Sequence, residues 1–596
     1  MLRARFVLSI VVTLAAFACC NPAQAAATPN VLFIAVDDLR PELGCYGARY
    51  VQSPNMDGLA RRGLLFERAY CQQAVCNPSR TSLMTGLRPD TIGVTGNHTH
   101  FRDKHPDVIT LPQHFKNHGY HAQSIGKIYH GVFPDGASKT VWDTMGDPES
   151  WSVPTTRFGP RYYYTEEGVR QARESYLAMY GPADSGPDDW TTKLVFGPMT
   201  EAPEVADETL YDGKVAAAAV DALTRLKNAD QPFFLAVGFI KPHTPFVAPK
   251  KYWDLYDPEA IELATNGKLP DGAPAYAGHT SGEVRRYTDQ PKKGPFTEDN
   301  QRRLRHGYYA CVSFTDAQIG RVLDELDRLG LAEDTIVVLY GDHGWHLGEH
   351  GLWGKTTNFE LDTRAPLIVR VPGMKAAGKR TKALVEFVDI YPTLATLAGL
   401  PILEELEGKS FAPLLDEPLS RSKPAAFSQY PRGKRMGYSM RTDRFRYTEW
   451  VDRATGRIDD RELYDHQADP AETVNVAEQT DHATLIAQLS EQLHDSLDLP
   501  TEDRQEPAAE PKPVAGERLV IVEQGHPKDG HAEGWLERDG YLEGAGKTPL
   551  PIMTLALAEG DFHVKARLRM LDQKGSAASF FLDGNHLGFE GNRETL

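Results

Sequence analysis

The sequence predicts an α/β sandwich on a mostly parallel sheet, followed by a smaller antiparallel subdomain and a β-rich tail. Short continuous apolar runs at residues 31–36, 233–240 and 335–340 have the length of strands buried on both faces. Helical patterns lie between them. Residues 215–226 are Ala-rich and periodic, and Ile319, Val322, Leu323, Leu326 and Leu329 form one apolar face before a stop at Gly330. Beyond about Gly399 the pattern shifts to short alternating strands, the mark of a separate β layer.

The chain has 596 residues and is 41% hydrophobic, enough for one large core plus appended modules. A net charge of −17 argues against nucleic acid as a partner. An anionic substrate must then meet a local basic pocket inside an acidic molecule. Residues 1–25 read as a secretory signal. Arg3 and Arg5 open it, residues 6–17 are apolar, and Ala23-Gln24-Ala25 is a small-x-small cleavage site. A periplasmic or secreted protein is therefore expected. Phe17 and Ala18 fit a lipobox poorly, so lipidation at Cys19 or Cys20 is not expected. No later apolar run is long enough to span a bilayer. Cys45, Cys71, Cys76 and Cys311 survive cleavage, too few for a disulfide scaffold, and no bridge is expected.

Taken in order, the first strand ends at Asp37-Asp38. Adjacent carboxylates repel unless a cation sits between them; a cap or turn accounts for one Asp better than for two. The same grammar recurs. Residues 121–125 run into Gly126-Lys127 with His130 beyond. Residues 233–240 run into Lys241-Pro242-His243, and residues 335–340 into Gly341-Asp342-His343. In open α/β sheets ligands bind outside the carboxyl ends of the strands, so four such endings point to one shared site. Residues 426–430, 436–440 and 445–450 read as antiparallel strands, and Glu462-Leu463-Tyr464-Asp465 with Asp469-Pro470 as a strand end and turn. Residues 501–516 are rich in Pro, Glu and Ala, a linker composition. Residues 562–570 alternate apolar and polar as a half-buried strand with a basic outer face, and residues 578–582 and 586–589 continue the β reading.

Cys76-Asn77-Pro78-Ser79-Arg80 stands apart from this grammar, with Thr81 to Gly86 reading as the start of a helix. A cysteine at a helix N-terminus beside an arginine is expected to have a depressed thiol pKa, which suits a nucleophile. Alone, a Cys-x-Pro is more readily a buried structural cysteine before a turn.

The pattern C-x-P-S-R followed by T-G resembles the signature of the type I formylglycine-dependent sulfatases. Other motifs are similar to the iduronate-2-sulfatase-like branch: Val36-Asp37-Asp38-Leu39-Arg40-Pro41 with Gly44-Cys45-Tyr46-Gly47, Gln73-Ala74-Val75-Cys76, and Arg88-Pro89-Asp90-Thr91. So are Gly126-Lys127 with His130, Lys241-Pro242-His243-Thr244-Pro245-Phe246, and Asp342-His343-Gly344-Trp345 with Gly348-Glu349-His350-Gly351. The resemblance is strong over residues 29–400 and weaker over the next hundred. It implies an alkaline-phosphatase-like sandwich with a mixed, mostly parallel sheet over residues 26–399 and a C-terminal sulfatase subdomain over residues 400–500. The tail, residues 517–596, resembles part of a concanavalin-like β module.

The resemblance also implies chemistry. Cys76 is oxidised to formylglycine by a formylglycine-generating enzyme; one hydroxyl of the hydrated aldehyde attacks sulfur, and the other expels sulfate. Asp37, Asp38, Asp342 and His343, with the modified Cys76 oxygen, hold one divalent cation, and carboxylate oxygens suit calcium. Arg80 holds the attacking hydroxyl. Lys127 and Lys355, the latter in Trp353-Gly354-Lys355, face the sulfate oxygens. His243 is the acid for the leaving sugar oxygen, with Lys355 beside it, and His130 takes the proton when the second hydroxyl collapses. Lys241 reads a substrate carboxylate. The expected reaction is hydrolysis of sulfate esters on sulfated sugars such as glycosaminoglycans, with 2-O-sulfated iduronate as the model substrate. Two alternatives stand beside it: a phosphate or phosphonate monoester hydrolase of the same superfamily, and a secreted glycan-binding protein with an inactive site.

Overall fold

A seven-stranded sheet organises the computed structural model, which describes residues 28–131, 146–158, 162–181, 195–499 and six short strands beyond residue 520. Its strands are β1 (Asn30–Val36), β2 (Leu64–Phe66), β3 (His121–Gly126), β4 (Phe233–Phe239), β5 (Thr335–Gly341), β6 (Leu367–Arg370) and β7 (Arg380–Thr381). They lie in the order β7-β2-β6-β5-β1-β4-β3. β3, β4, β1 and β5 are parallel neighbours, β6 runs antiparallel to β5 and β2, and β7 is parallel to β2. The sheet is thus mixed and mostly parallel, as expected.

The helices that pack on this sheet include α1 (Pro54–Arg62), α2 (Cys76–Thr85), α3 (Tyr211–Leu226), α4 (Glu298–Arg328) and α5 (Ile390–Leu397). They cover both faces of the sheet. Leu32, Ile34 and Val36 of β1 join Leu235 and Val237 in a core with Ala219 and Leu223 of α3 and Val322 and Leu326 of α4. Val31, Phe33 and Ala35 point the other way, to a core with Leu83 and Met84 of α2 and Ile390 and Leu394 of α5. Burial on both faces explains why these strands read as unbroken apolar runs rather than alternating ones. The expected helices are longer than their patterns suggested. α3 begins at Tyr211, and α4 begins at Glu298, where the Thr297 side chain accepts from Asn300 N. The middle of α4 is buried almost all round, so no single stripe marks it.

Beyond the sheet, β8 (Ala426–Arg432), β9 (Arg435–Arg441), β10 (Phe445–Asp452) and β11 (Ile458–Asp465) form an antiparallel meander, the smaller β layer expected from the sequence. Phe427, Met440, Tyr447 and Leu463 pack on Leu489 and Leu493 of α6 (Ala483–Leu497). Trp450 and Tyr464 pack instead with Leu352 and Phe359, tying the meander to the loops beside the large sheet.

The chain divides into two compact units, Met1–Arg504 and Gln505–Leu596. In the second, Ile521–Val522 pairs with Thr554–Leu555, Trp535–Arg538 with Tyr541–Gly544, and Ala578–Leu582 with Asn585–Phe589, each pair antiparallel. The expected signal at residues 1–25, the linker at 501–516 and the strand at 562–570 lie outside the described residues. Among the described residues Cys45, Cys71, Cys76 and Cys311 are free thiols, and no helix is long and apolar enough to cross a membrane.

Candidate active site

The carboxyl ends of β5, β1, β4 and β3 lie side by side, and each delivers the ionisable residues read from the sequence. Asp37 and Asp38 leave β1. Asp38 sits in left-handed backbone, φ 58°, a conformation costing about 1–3 kcal/mol in a non-glycine residue. Neighbouring elements hold it there: its N–H donates to Asp342 Oδ1 (3.0 Å), and its carbonyl accepts from the Tyr308 hydroxyl of α4 (2.8 Å). At the end of β3, Gly126 turns at φ +79°. Opposite it, a Cβ on Gly238 would lie 1.9 Å from the Lys127 carbonyl, so only glycine allows β3 to turn Lys127 into the site.

Helix α2 begins at Cys76 itself, ends at Gly86 in left-handed backbone, and is buried along its whole length. The expectation that a helix starts near Thr81 is corrected by five residues. Arg80 explains how such a polar stretch is buried. Its Nε donates to Asp342 Oδ2 (2.8 Å), Nη2 to Asp37 Oδ1 (3.0 Å), and Nη1 to the Lys127 and Ile128 carbonyls (2.8 and 2.9 Å). Arg80 thus braces two carboxylates against the end of β3.

Two lysines complete the charge balance. Lys127 Nζ donates to Asp37 Oδ2. Lys355 Nζ donates to both Asp38 oxygens (2.8 and 3.1 Å) and lies 3.8 Å from Cys76 Sγ. Burial works against every charge here. The Lys127, Lys355 and Arg80 neighbours overcome it unevenly. Burial alone would raise the Asp37 carboxyl, but Lys127, His243 and Arg80 hold it well below the usual range. Asp38 ends well above that range: burial raises it, and Asp37, Glu283 and Asp342 add to this against the pull of Lys355. Burial works to lower Lys355, but Asp38, Cys76, Glu283 and Asp37 together hold it well above its ordinary value.

The Cys76 thiol lies 3.4 Å from His343 Nε2 at the centre of this cage. Its pKa is raised, by burial first and by the Asp37 charge, with Lys127 and Lys355 pulling the other way. The expected depression is therefore overturned. A helix N-terminus and an arginine cannot offset complete desolvation beside carboxylates. As a thiol, Cys76 is a poor nucleophile.

The donor set fits a cation. Ligand atoms of Asp37, Asp38, Cys76 and His243 lie within 4.8 Å of one another, as do those of Cys76, Asp342 and His343. His343 supplies the test. Its Nδ1 meets the Gly344 carbonyl (3.0 Å) and must donate to it, so Nε2 of the neutral ring carries a lone pair. Burial lowers the His343 pKa and keeps the ring neutral. That lone pair faces Asp38 Oδ1 at 3.4 Å and Asp342 Oδ1 at 3.6 Å. Each of the three has a donor of the protein's own beside it, the Cys76 thiol, Lys355 Nζ and the Asp38 N–H, and their convergence is a donor set that fits a cation.

The remaining expected residues take different positions. His130 Nδ1 is buried without a hydrogen-bond partner among the described residues, and burial with Lys127 nearby holds the ring well below its ordinary pKa. His243 Nδ1 donates to the Thr244 carbonyl (2.8 Å), leaving Nε2 as an acceptor 4.0 Å from Asp38 Oδ2. Its pKa is also well below ordinary, through burial and then Lys355. Lys241 is turned away: its Nζ donates to the His243 and Pro245 carbonyls, which braces the loop. Two residues the sequence reading passed over join the site. Asp212, at the start of α3, accepts from Ile240 N (2.9 Å) and Lys241 N (2.7 Å) and so holds the loop bearing His243. Glu283 faces both Lys355 and His243. Asp212 follows a tyrosine in what looks like an ordinary acidic first helical turn, and Glu283 lies in a polar stretch without periodicity, so neither carried a signal.

Comparison with known proteins agrees with this geometry. The sulfatase family profile matches residues 29–400, and the profile for the C-terminal part of N-sulphoglucosamine sulphohydrolase matches residues 348–498. Iduronate 2-sulfatase of Mus musculus is 36% identical over 534 residues, covering 77% of this chain and 93% of the relative; that of Homo sapiens is 38% identical over 488 residues, covering 71% and 85%. Among solved structures, one in complex with its substrate D-glucosamine-2-N,6-O-disulfate superposes with a TM-score of 0.61 at 22% identity, covering 80% of this chain and 100% of the other. A phosphonate monoester hydrolase of Agrobacterium radiobacter gives 0.60 at 23% identity, covering 79% and 95%. The structural likenesses speak to the alkaline-phosphatase-like fold alone. Matched along residues 29–400 and sharing over a third of its aligned residues with the mouse enzyme, this chain belongs to the sulfatase family.

Proposed function

We propose that this chain hydrolyses sulfate esters on sulfated sugars in the manner of iduronate 2-sulfatase, using a formylglycine made from Cys76 and one divalent cation. The observation that carries the reading is the position of Cys76, with Sγ 3.4 Å from His343 Nε2 and 3.8 Å from Lys355 Nζ inside a cage of three buried carboxylates. The high thiol pKa supports it, because a residue that acts only after conversion has no need of a reactive thiolate. Asp37, Asp38, Asp342 and His343 are the residues that would hold the cation, and the hard oxygens of the three carboxylates suit calcium. When bound, the cation supplies polarisation of the sulfate and stabilises the ionised nucleophilic hydroxyl. Formylglycine supplies paired hydroxyls, one to attack sulfur and one whose collapse releases sulfate.

The chain's own residues then divide the work. Arg80 is spent on Asp37 and Asp342, so it fixes the carboxylates more than it touches the hydroxyl. Lys127 and Lys355 keep their ammonium charge and present it to the sulfate oxygens. His243 faces the ester with Nε2, which rests as an acceptor. It must take up a proton before it can hand one to the leaving oxygen, and an arriving anionic ester favours that uptake. His130 is neutral and accepts the last proton at Nδ1, which has no hydrogen-bond partner among the described residues. Lys241 braces the His243 loop and does not read the substrate.

Iduronate as the sugar rests on the mouse and human relatives. Export to the periplasm or beyond rests on residues 1–25, and maturation calls for a formylglycine-generating enzyme as a transient partner. The phosphonate-ester reading has only the shared fold behind it. The glycan-binding reading leaves the intact charged cage without a purpose. The test joins two measurements: the mass of the Cys76 peptide from protein made in its native host, and sulfate release from a 2-O-sulfated iduronate disaccharide by wild type and Cys76→Ala. An aldehyde mass with release abolished in the variant is expected. A plain thiol with unchanged release overturns the proposal.

A further inference from the structure

Glu283 lies in the short helix Gly282–Arg285 at the opening of the site. Its side chain is 33% exposed, whereas those of Asp37, Asp38 and Asp342 are 0% exposed. Oε1 lies 3.4 Å from Lys355 Nζ, 3.6 Å from His243 Nε2 and 3.4 Å from Thr244 Oγ1. A carboxylate saturated by charged donors shows bonds of about 2.7–2.9 Å. Glu283 makes no hydrogen bond or ion pair that short among the described residues, so it keeps acceptor capacity beside the substrate opening.

Its neighbours fix what it meets. On the reading above, His243 attends the oxygen that joins sulfate to sugar, and Lys355 the sulfate oxygens beside it. The first sugar atoms beyond that oxygen therefore lie against Glu283. A carboxylate there accepts from a hydroxyl and repels another anion. We infer that Glu283 is a specificity-determining residue: it accepts a hydrogen bond from the hydroxyl on the carbon next to the sulfated one. The site so selects sulfate esters with a free neighbouring hydroxyl and rejects those carrying a second sulfate at that carbon. This deepens the proposed function and rests on it.

The test compares kcat/KM for the methyl glycoside of 2-O-sulfated iduronate, its 3-deoxy analogue and its 2,3-disulfated analogue, in matured wild type, Glu283→Ala and Glu283→Gln. A site built around a hydroxyl rejects the compound lacking it, so wild type is expected to prefer the parent over the deoxy analogue by roughly 30-fold or more. In Glu283→Ala that ratio should collapse to within about threefold, and turnover of the disulfated analogue should rise about tenfold. Glu283→Gln, which keeps an acceptor without the charge, should retain part of the hydroxyl preference and lose the rejection of the second sulfate. Each ratio is taken within one protein, so a general loss of folded enzyme cancels. A Glu283→Ala protein that keeps the wild-type ratios overturns the inference. Wild type that releases sulfate from none of the three compounds overturns the proposed function instead.

Discussion

Replacing Asp212 by Asn should destabilise the fold at low pH and lose or reverse that deficit near neutral pH, while weakening the enzyme at both. Asp212 is 1% exposed, and its two oxygens accept separately from the amides of Ile240 and Lys241. Burial raises its pKa from 3.8 to about 6, outweighing the pull of those amides. At about 1.4 kcal/mol per pH unit, holding the carboxylate ionised inside the fold costs about 3 kcal/mol. The folded form binds its proton more tightly than the unfolded one. Stability is therefore greatest below 3.8, is lost as pH rises through about 6, and is level above that. Asn removes this dependence but offers one oxygen where two amides need acceptors, and an unsatisfied buried amide costs about 1–3 kcal/mol. The variant should be less stable than wild type by about 1–3 kcal/mol at pH 4 and equal to it or up to about 2 kcal/mol more stable at pH 7. Urea unfolding followed by tryptophan fluorescence at pH 4, 5, 6 and 7 measures the difference. Because the released amides hold the His243 loop, kcat should fall roughly tenfold without a comparable change in KM. A stability difference that does not vary with pH would refute the assignment of the buried proton. An unchanged kcat would refute the positioning role.

Arg80→Lys keeps a charge but loses the planar fork that grips Asp37, Asp342 and two carbonyls; kcat should drop by about 100-fold or more, and calorimetry should show weaker calcium binding. Unaltered calcium affinity would remove its bracing role. Chelation should abolish sulfate release and calcium should restore it, with a thermal midpoint that rises as calcium is added, a gain of about 2.7 kcal/mol at a hundredfold excess over Kd. Full activity after chelation would sink the cation assignment. Glu462, buried under Trp450 Nε1 and the Tyr464 hydroxyl, has its pKa raised by burial to about 7. Wild-type stability should lose this contribution as pH rises from 4.5 through about 7, and Glu462→Gln should flatten that slope in the same unfolding assay.

The parts of the fold legible in the sequence are those whose cause is local. β1, β4 and β5 read as strands because both faces are covered, and the charged residues after them stood out against the apolar runs. The start of α2 is not legible because Asn77, Pro78, Ser79 and Arg80 look like a turn. They form a buried helix only because Arg80 and Asn77 find carboxylates and carbonyls from distant segments. The same limit governs the thiol. Sequence shows the helix end and the arginine beside Cys76 but not the desolvation or Asp37, which win. Lys127 and Lys241 look alike as lysines after strands. One reaches Asp37, and the other is folded back onto the carbonyls of its own proline-rich loop. Asp212 and Glu283 act on partners far along the chain, Ile240 and Lys355 among them, so no spacing rule could have found them.

The site's charges explain how a chain of net charge −17 can draw an anion. Three buried carboxylates, Asp37, Asp38 and Asp342, face three buried cations, Arg80, Lys127 and Lys355. The cage alone is close to neutral, and the imbalance is local: Asp37 is well stabilised, whereas burial, with Asp37, Glu283 and Asp342 adding to it, pushes Asp38 well above the carboxylate range against the pull of one lysine. The cation we place there meets Asp38 where the protein's own cations leave it short. With its two charges the cage turns positive. A charge 4 Å from an opposite one gains about 4 kcal/mol at the effective dielectric of a protein surface, so a positive cage attracts the sulfate group although the chain as a whole is acidic. Glu283 at the rim then has a clear effect: it places a negative charge one step from the attractive cage, so that the sulfate to be cleaved is drawn in while a neighbouring one is turned away.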